Sequence, residues 1–238
     1  MSGWEANGLP WLAVVSSIGL LVGLGITYWL HSQYHLDIVA RPVPPPVGEA
    51  PLVSVVVPAR NEARNIRRCI QGLLAQDYPD LEVIVVDDRS TDETGHILAE
   101  IKAAGIHNLH ILQGKDLPPD WAGKPHALAQ GVVPARGQWL CFVDADTFGA
   151  PGLVTAVMAQ AQEHQADLFT ILTQQELGSF WEKVILPLVF TAMSVGFSPR
   201  RVNDPRYPDA IANGQFILIL RAVYEALGGH EAIRNEIV

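Results

Sequence analysis

Cysteine is scarce in this chain: two residues, Cys69 and Cys141, in 238. They are too few for a secreted disulfide scaffold and lack metal-ligand spacing, which favours a reducing compartment. Charge is also thin, at 17% of residues, and acids outnumber Lys and Arg 25 to 16, for a net charge of −9. Binding to nucleic acid wants a Lys/Arg surplus, so nucleic acid is excluded as the main partner. No glycine-rich dinucleotide turn, Walker-type loop or Gly-x-Ser-x-Gly elbow is present. Dinucleotide binding, P-loop chemistry and serine hydrolysis therefore lack support. What abounds is apolar: 49% of residues are hydrophobic, far from a disordered or fibrous composition. A mean hydropathy of +0.19 adds the expectation of a membrane segment.

Residues 1–10 read as a short tail, and Trp11 to Leu30 holds twenty residues without a charged side chain. At about 1.5 Å per residue this run spans roughly 30 Å, the thickness of a bilayer's hydrocarbon core. Trp11, Tyr28 and Trp29 stand at its ends, where amphipathic rings favour the interface. The rival is a cleaved signal peptide, but Glu5 precedes the run without any Lys or Arg, and Tyr28-Trp29-Leu30-His31 is no small-residue cleavage site. Arg41, Arg60, Arg64, Arg67 and Arg68 all follow the run, which predicts a single-pass inner-membrane anchor with the body in the cytoplasm. Gly19 and Gly23 form one GxxxG pair, for which lipid-facing glycines are the simpler account. Residues 31–51 form a linker whose five prolines from Pro42 to Pro51 favour extended polyproline II. The body begins near Leu52.

From there strand-like and helix-like runs alternate. Strands are expected at 52–57, 81–86, 109–112, 139–143 and 216–220, and helices at 62–75 and 126–133. A further helix is expected to open on a Ser90/Glu93 capping box, and Gly228-Gly229 to close the helix after the last strand. This alternation predicts an α/β fold with a mostly parallel, Rossmann-like sheet covered by helices on both faces. Ligands of such sheets bind at the carboxyl ends of the strands. Those ends carry Pro58-Ala59-Arg60-Asn61-Glu62, Asp87-Asp88-Arg89-Ser90-Thr91-Asp92 and Asp144-Ala145-Asp146-Thr147. The second is also what any acidic loop before a helix N-terminus looks like. The third, an Asp-x-Asp, is costly at the end of an apolar strand unless solvated, paired or metal-bound, and its hard oxygens suit Mg²⁺ or Mn²⁺. Most of the eight histidines read as surface or capping residues.

Taken in order, Val55 to Glu62, Val85 to Asp92, Gly123-Lys124 and Phe142 to Asp146 resemble family 2 of the glycosyltransferases. The resemblance implies the GT-A fold and an inverting, metal-dependent transfer of sugar from a nucleotide-sugar, a UDP-sugar foremost. The stretch Pro119 to Gly131 is similar to membrane-bound members acting on terpenoid lipids, the hopanoid-associated and carotenoid glycosyltransferases. By this resemblance Pro58, Ala59, Arg60 and Glu62 line the nucleotide pocket, and Asp88 accepts a hydrogen bond from uracil. Asp144 faces the sugar or ribose, Asp146 holds the metal on the diphosphate, and Lys124 approaches the diphosphate or the acidic pair. Arg89 departs from the pattern, since family members often carry glycine there. The resemblance also places the catalytic base, an aspartate, just beyond Val238, so residues 52–238 are expected to be a C-terminally incomplete GT-A domain. Two alternatives stay open: a nucleotide-sugar-binding membrane protein that is catalytically incomplete, or a transferase acting on a polysaccharide or polyprenyl phosphate.

Val184 to Phe197 is a second apolar stretch, fourteen residues without charge between Lys183 and Arg200-Arg201. It is short for a span. Core packing and an interfacial helix resting on lipid are equally compatible with it.

Overall fold

A computed structural model describes residues 11, 13–23, 25, 45, 49–196, 199–204 and 206–236. The chain divides into two compact units, Val39–Gln174 with Ala212–Val238, and Met1–Ile38 with Gln175–Ile211. The sheet lies in the first of these units, and residues 175–211 belong to the second.

The first unit is built on six strands: β1 (Val53–Ala59), β2 (Leu81–Asp87), β3 (Leu109–Gln113), β4 (Trp139–Val143), β5 (Leu168–Thr170) and β6 (Phe216–Leu220). They lie in the order β3-β2-β1-β4-β6-β5. The first four pair in parallel, and β6 runs antiparallel to both β4 and β5. β1, β2 and β4 are near-continuous apolar runs because both of their faces are covered. Helices α1 (Ile66–Leu74), α2 (Thr94–Ala103) and α4 (Leu153–Glu163) share one core with Val55 and Val57. Val56, between them, points the other way and packs with Leu128 of α3 (Gly123–Val132) and with Val223 and Tyr224 of α7 (Arg221–Ala226). α3 lies so close to the sheet that a Cβ on Gly131 would stand 2.3 Å from Val56 Cγ1.

Parallel pairing brings the carboxyl ends of β1, β2 and β4 to one edge. Because β6 runs the other way, Phe216 pairs with Val143, so Asn213, Gly214 and Gln215 arrive at that same edge. The opposite edge holds Glu82, a buried carboxylate. It accepts hydrogen bonds from the Ser54 hydroxyl at 2.6 Å, the Arg136 backbone N–H at 2.7 Å, and the Arg136 guanidinium at 2.8 and 2.9 Å. Burial pushes its pKa up, but these donors outweigh burial and hold it below the usual carboxylate range.

The expected capping box at Ser90 and Glu93 does not form. The Ser90 hydroxyl instead accepts the Asn61 backbone N–H, and Asp92 accepts from the backbone N–H of Thr94 at the start of α2. A tertiary contact has taken the serine. The box occurs elsewhere, at Ser179 and Glu182, whose side chains exchange hydrogen bonds with each other's backbone N–H.

That box opens the second unit's main helix, α5 (Phe180–Gly196), which contains Pro187 and is followed by α6 (Pro199–Val202). Val184, Ile185, Leu188, Val189 and Phe190 are 40–67% exposed, so core packing does not describe these five residues. Residues 11, 13–23 and 25 are also helical, with Val15, Ile18, Leu20 and Leu21 exposed. Among the described residues no helix is long and apolar enough to cross a membrane. Residues 1–10, 12, 24, 26–30, and the linker apart from residues 45 and 49–51, lie outside the described set.

Candidate functional site

The carboxyl edge of the sheet opens into a cavity of about 300 Å³. Pro58, Ala59, Arg60 and Glu62 line it from the end of β1, Asp88 from the end of β2, and Asp144 and Asp146 from the turn after β4. Lys124, in the first turn of α3, completes the set. Every site residue expected from sequence thus meets at one cavity. Gly123, Ala127 and Ala145 also line it and bring no polar side chain.

Local hydrogen bonds fix these loops. The Asn61 side chain accepts the Thr91 N–H at 2.8 Å, and Glu62 N–H donates to the Thr94 hydroxyl at 2.8 Å, tying the loop after β1 to the loop after β2. The turn after β4 is closed by Thr147, whose N–H and hydroxyl both donate to the Asp144 carbonyl, at 3.1 and 2.7 Å. Beneath it the Cys69 thiol donates to the same carbonyl at 3.7 Å. Burial pushes that thiol up to about 12, so it stays protonated and is no nucleophile.

The charges pair across the cavity. Lys124 Nζ lies 2.7 Å from Asp144 Oδ1, with both side chains partly exposed. The Arg89 guanidinium holds both oxygens of the nearly buried Asp88, at 2.9 and 3.0 Å. Arg89 sits at φ +59°, the left-handed backbone that glycine adopts without strain. Its departure from the family pattern therefore changes the side chain while keeping the turn. Asp146 is exposed at the cavity rim. Among the described residues no three His, Cys, Asp or Glu side chains gather around one point. An ion held by Asp146 would draw its other ligands from diphosphate oxygens and water, the sharing that Mg²⁺ and Mn²⁺ favour.

Sequence reasoning missed His230. Gly228, at φ +83°, reverses the chain after α7. His230 then stacks edge-on against Phe142 of β4 at 4.7 Å; its Nδ1 lies 2.8 Å from the Tyr224 hydroxyl, and that hydroxyl accepts the His230 backbone N–H at 3.1 Å. Burial, with Lys124 nearby, lowers its pKa to about 4. A double glycine closing a helix, followed by a ring, is the signal that marks such a return.

Residues 54–228 match the model of glycosyl transferase family 2. The chain belongs to that family. Among curated proteins it is 30% identical over 189 residues to the 4,4'-diaponeurosporenoate glycosyltransferase of Staphylococcus aureus, a match covering 78% of this chain and 48% of that relative. The chain thus spans about half the length of the curated relatives it matches. Among solved structures, the mannosyltransferase of Pyrobaculum calidifontis, bound to GDP-mannose and Mn²⁺, aligns with a TM-score of 0.54 at 22% identity. That alignment covers 88% of this chain and 57% of the other. The likeness supports the GT-A type of fold.

Proposed function

We propose that this chain carries the donor half of a membrane-associated, inverting glycosyltransferase that moves sugar from a UDP-sugar to a lipid-type, terpenoid acceptor. The carrying observation is the convergence of three acidic or basic strand ends and Lys124 on one cavity in a family 2 chain. In the reaction the acceptor oxygen bonds to the anomeric carbon as the bond to the nucleoside diphosphate breaks, and negative charge grows on that leaving group. Asp146 is the residue placed to hold Mg²⁺ or Mn²⁺, which supplies charge neutralisation there when bound. Pro58, Ala59, Arg60 and Glu62 bound the nucleotide, and Asp88 receives the base. Lys124, paired with Asp144, orients that carboxylate toward sugar or ribose and adds a positive charge beside the diphosphate.

The acceptor class rests on the carotenoid-acting relative and on the exposed apolar side chains among helical residues 11, 13–23 and 25 and in α5. Phe180 and Trp181 open α5 beside Lys183, a composition suited to a headgroup boundary. We place the anchor at residues 11–30 and the sheet-bearing unit on the cytoplasmic side of the inner membrane. Transfer is tested with labelled UDP-sugars, Mn²⁺ and terpenoid-loaded vesicles, with product partitioned between organic solvent and water. Label in the organic phase supports the reading. Label confined to polymer favours a polysaccharide acceptor, and incorporation from no donor contradicts the reading. For topology, an external thiol reagent should reach cysteine introduced at Ser2 and miss one at Glu49; the reverse overturns the orientation.

A further inference from the structure

Asp88 is held in an unusual way for a residue that reads a base. Its carboxylate, nearly buried, is gripped on its fork face by Nε and Nη2 of Arg89, one bond to each oxygen. A carboxylate has about four acceptor positions, and two of them, side by side, are consumed here. The remaining two diverge, one on each oxygen. A Cβ on Gly114 would stand 3.2 Å from Oδ1, and one on Gly123 3.5 Å from Oδ2. Gly123 lines the cavity, and a side chain there would stand against that oxygen.

We propose that Arg89 is a positioning residue that sets base preference, by occupying the carboxylate fork of Asp88 and leaving the incoming base only single, diverging acceptors. This rests on the reading of the cavity as a nucleoside-diphosphate site. Uracil needs one acceptor, for its single ring N–H. Guanine presents two adjacent donors, the ring N–H and the 2-amino group, which together want the carboxylate fork that Arg89 occupies. A bidentate pair of this kind is worth about tenfold or more in discrimination. The positive φ at Arg89 makes glycine an undemanding replacement, so the test does not hinge on folding.

The experiment is calorimetric titration of UDP and of GDP, each with Mn²⁺, into the wild-type chain, Arg89→Gly and Arg89→Lys. The wild type should prefer UDP by roughly tenfold or more. Both variants should bring the ratio near unity, because lysine keeps the charge but lacks the planar fork. A residue that merely supported the loop would weaken both nucleotides together and leave the ratio alone. An unchanged ratio in both variants, or equal binding of UDP and GDP by wild type, overturns the proposal while sparing the functional reading. Binding of neither nucleotide by wild type overturns both.

Discussion

Strand β2 carries an acid near each end, and the two ends have opposite fates. Glu82, at the amino edge of the sheet, is closed in by four hydrogen bonds that join β1, β2 and the loop before β4. At the carboxyl edge Asp88, Asp144 and Asp146 stand around open space, two of them held by cations and one at the rim. The lesson concerns what an acidic residue on an apolar strand is for. Where donors from the backbone and a second strand use up its lone pairs, it is structure. Where its partner is a side-chain cation beside a cavity, the pairing leaves lone pairs for a ligand.

The comparison predicts unequal costs. Glu82→Ala strands the buried Ser54 hydroxyl and the Arg136 N–H, while the exposed Arg136 guanidinium turns to water. The expected loss is about 3 kcal/mol, read as a lower urea midpoint at unchanged slope. A midpoint within error of wild type would remove the structural assignment of the amino edge. Next in size is Gly131→Ala, where the new methyl meets Val56 and forces α3 off the sheet that positions Lys124. About 1–3 kcal/mol is expected, from the same denaturation curves.

The pH dependence sharpens the comparison further. His230 has a folded pKa of about 4 against 6.5 in an open chain, so the unfolded state takes up its proton first. Its contribution is fully present above pH 6.5 and fades as pH falls toward 4. Glu82, with its folded pKa also depressed, adds a loss that begins below its unfolded value of about 4.3. Thermal unfolding between pH 7 and 4 should show the melting temperature dropping, and His230→Gln should flatten the upper part of that slope. An equal slope in the variant would mean that His230 is not buried against Phe142. The smallest effect is on thiols: Cys69 and Cys141 are buried, with burial pushing both pKa values up, so a disulfide reagent should be idle until the chain unfolds. Prompt reaction of either one at neutral pH would contradict the packing under the Asp144 turn.

Much of this was legible from residue order alone, for physical reasons that differ by element. β4 and β6 are five-residue apolar runs bounded by polar residues, and the structure gives them the bounds read from sequence. The site followed, because a parallel sheet collects strand ends at one edge, whichever residues stand there. β5 escaped because three residues with an exposed first member carry no alternation to read. The antiparallel direction of β6 was equally hidden, since an apolar run looks the same in both directions. Ser90 misled because its hydroxyl is claimed by Asn61, twenty-nine positions away, and a local motif holds no record of a distant competitor. His230 was lost for a related reason: beyond Tyr224, six positions back, its surroundings come from distant Phe142 of β4 and from Lys124 of α3.

On the function proposed above, the carboxyl edge binds a metal–nucleoside diphosphate through acids the fold does not need. Calorimetric titration of UDP in the presence of Mn²⁺ into wild type and Asp146→Asn, with melting temperatures taken on the same samples, tests it most directly. Metal-dependent binding by wild type is expected, with a loss of roughly a hundredfold in the variant at an unchanged melting temperature. Equal affinity in the two proteins, or no binding by wild type, would contradict it.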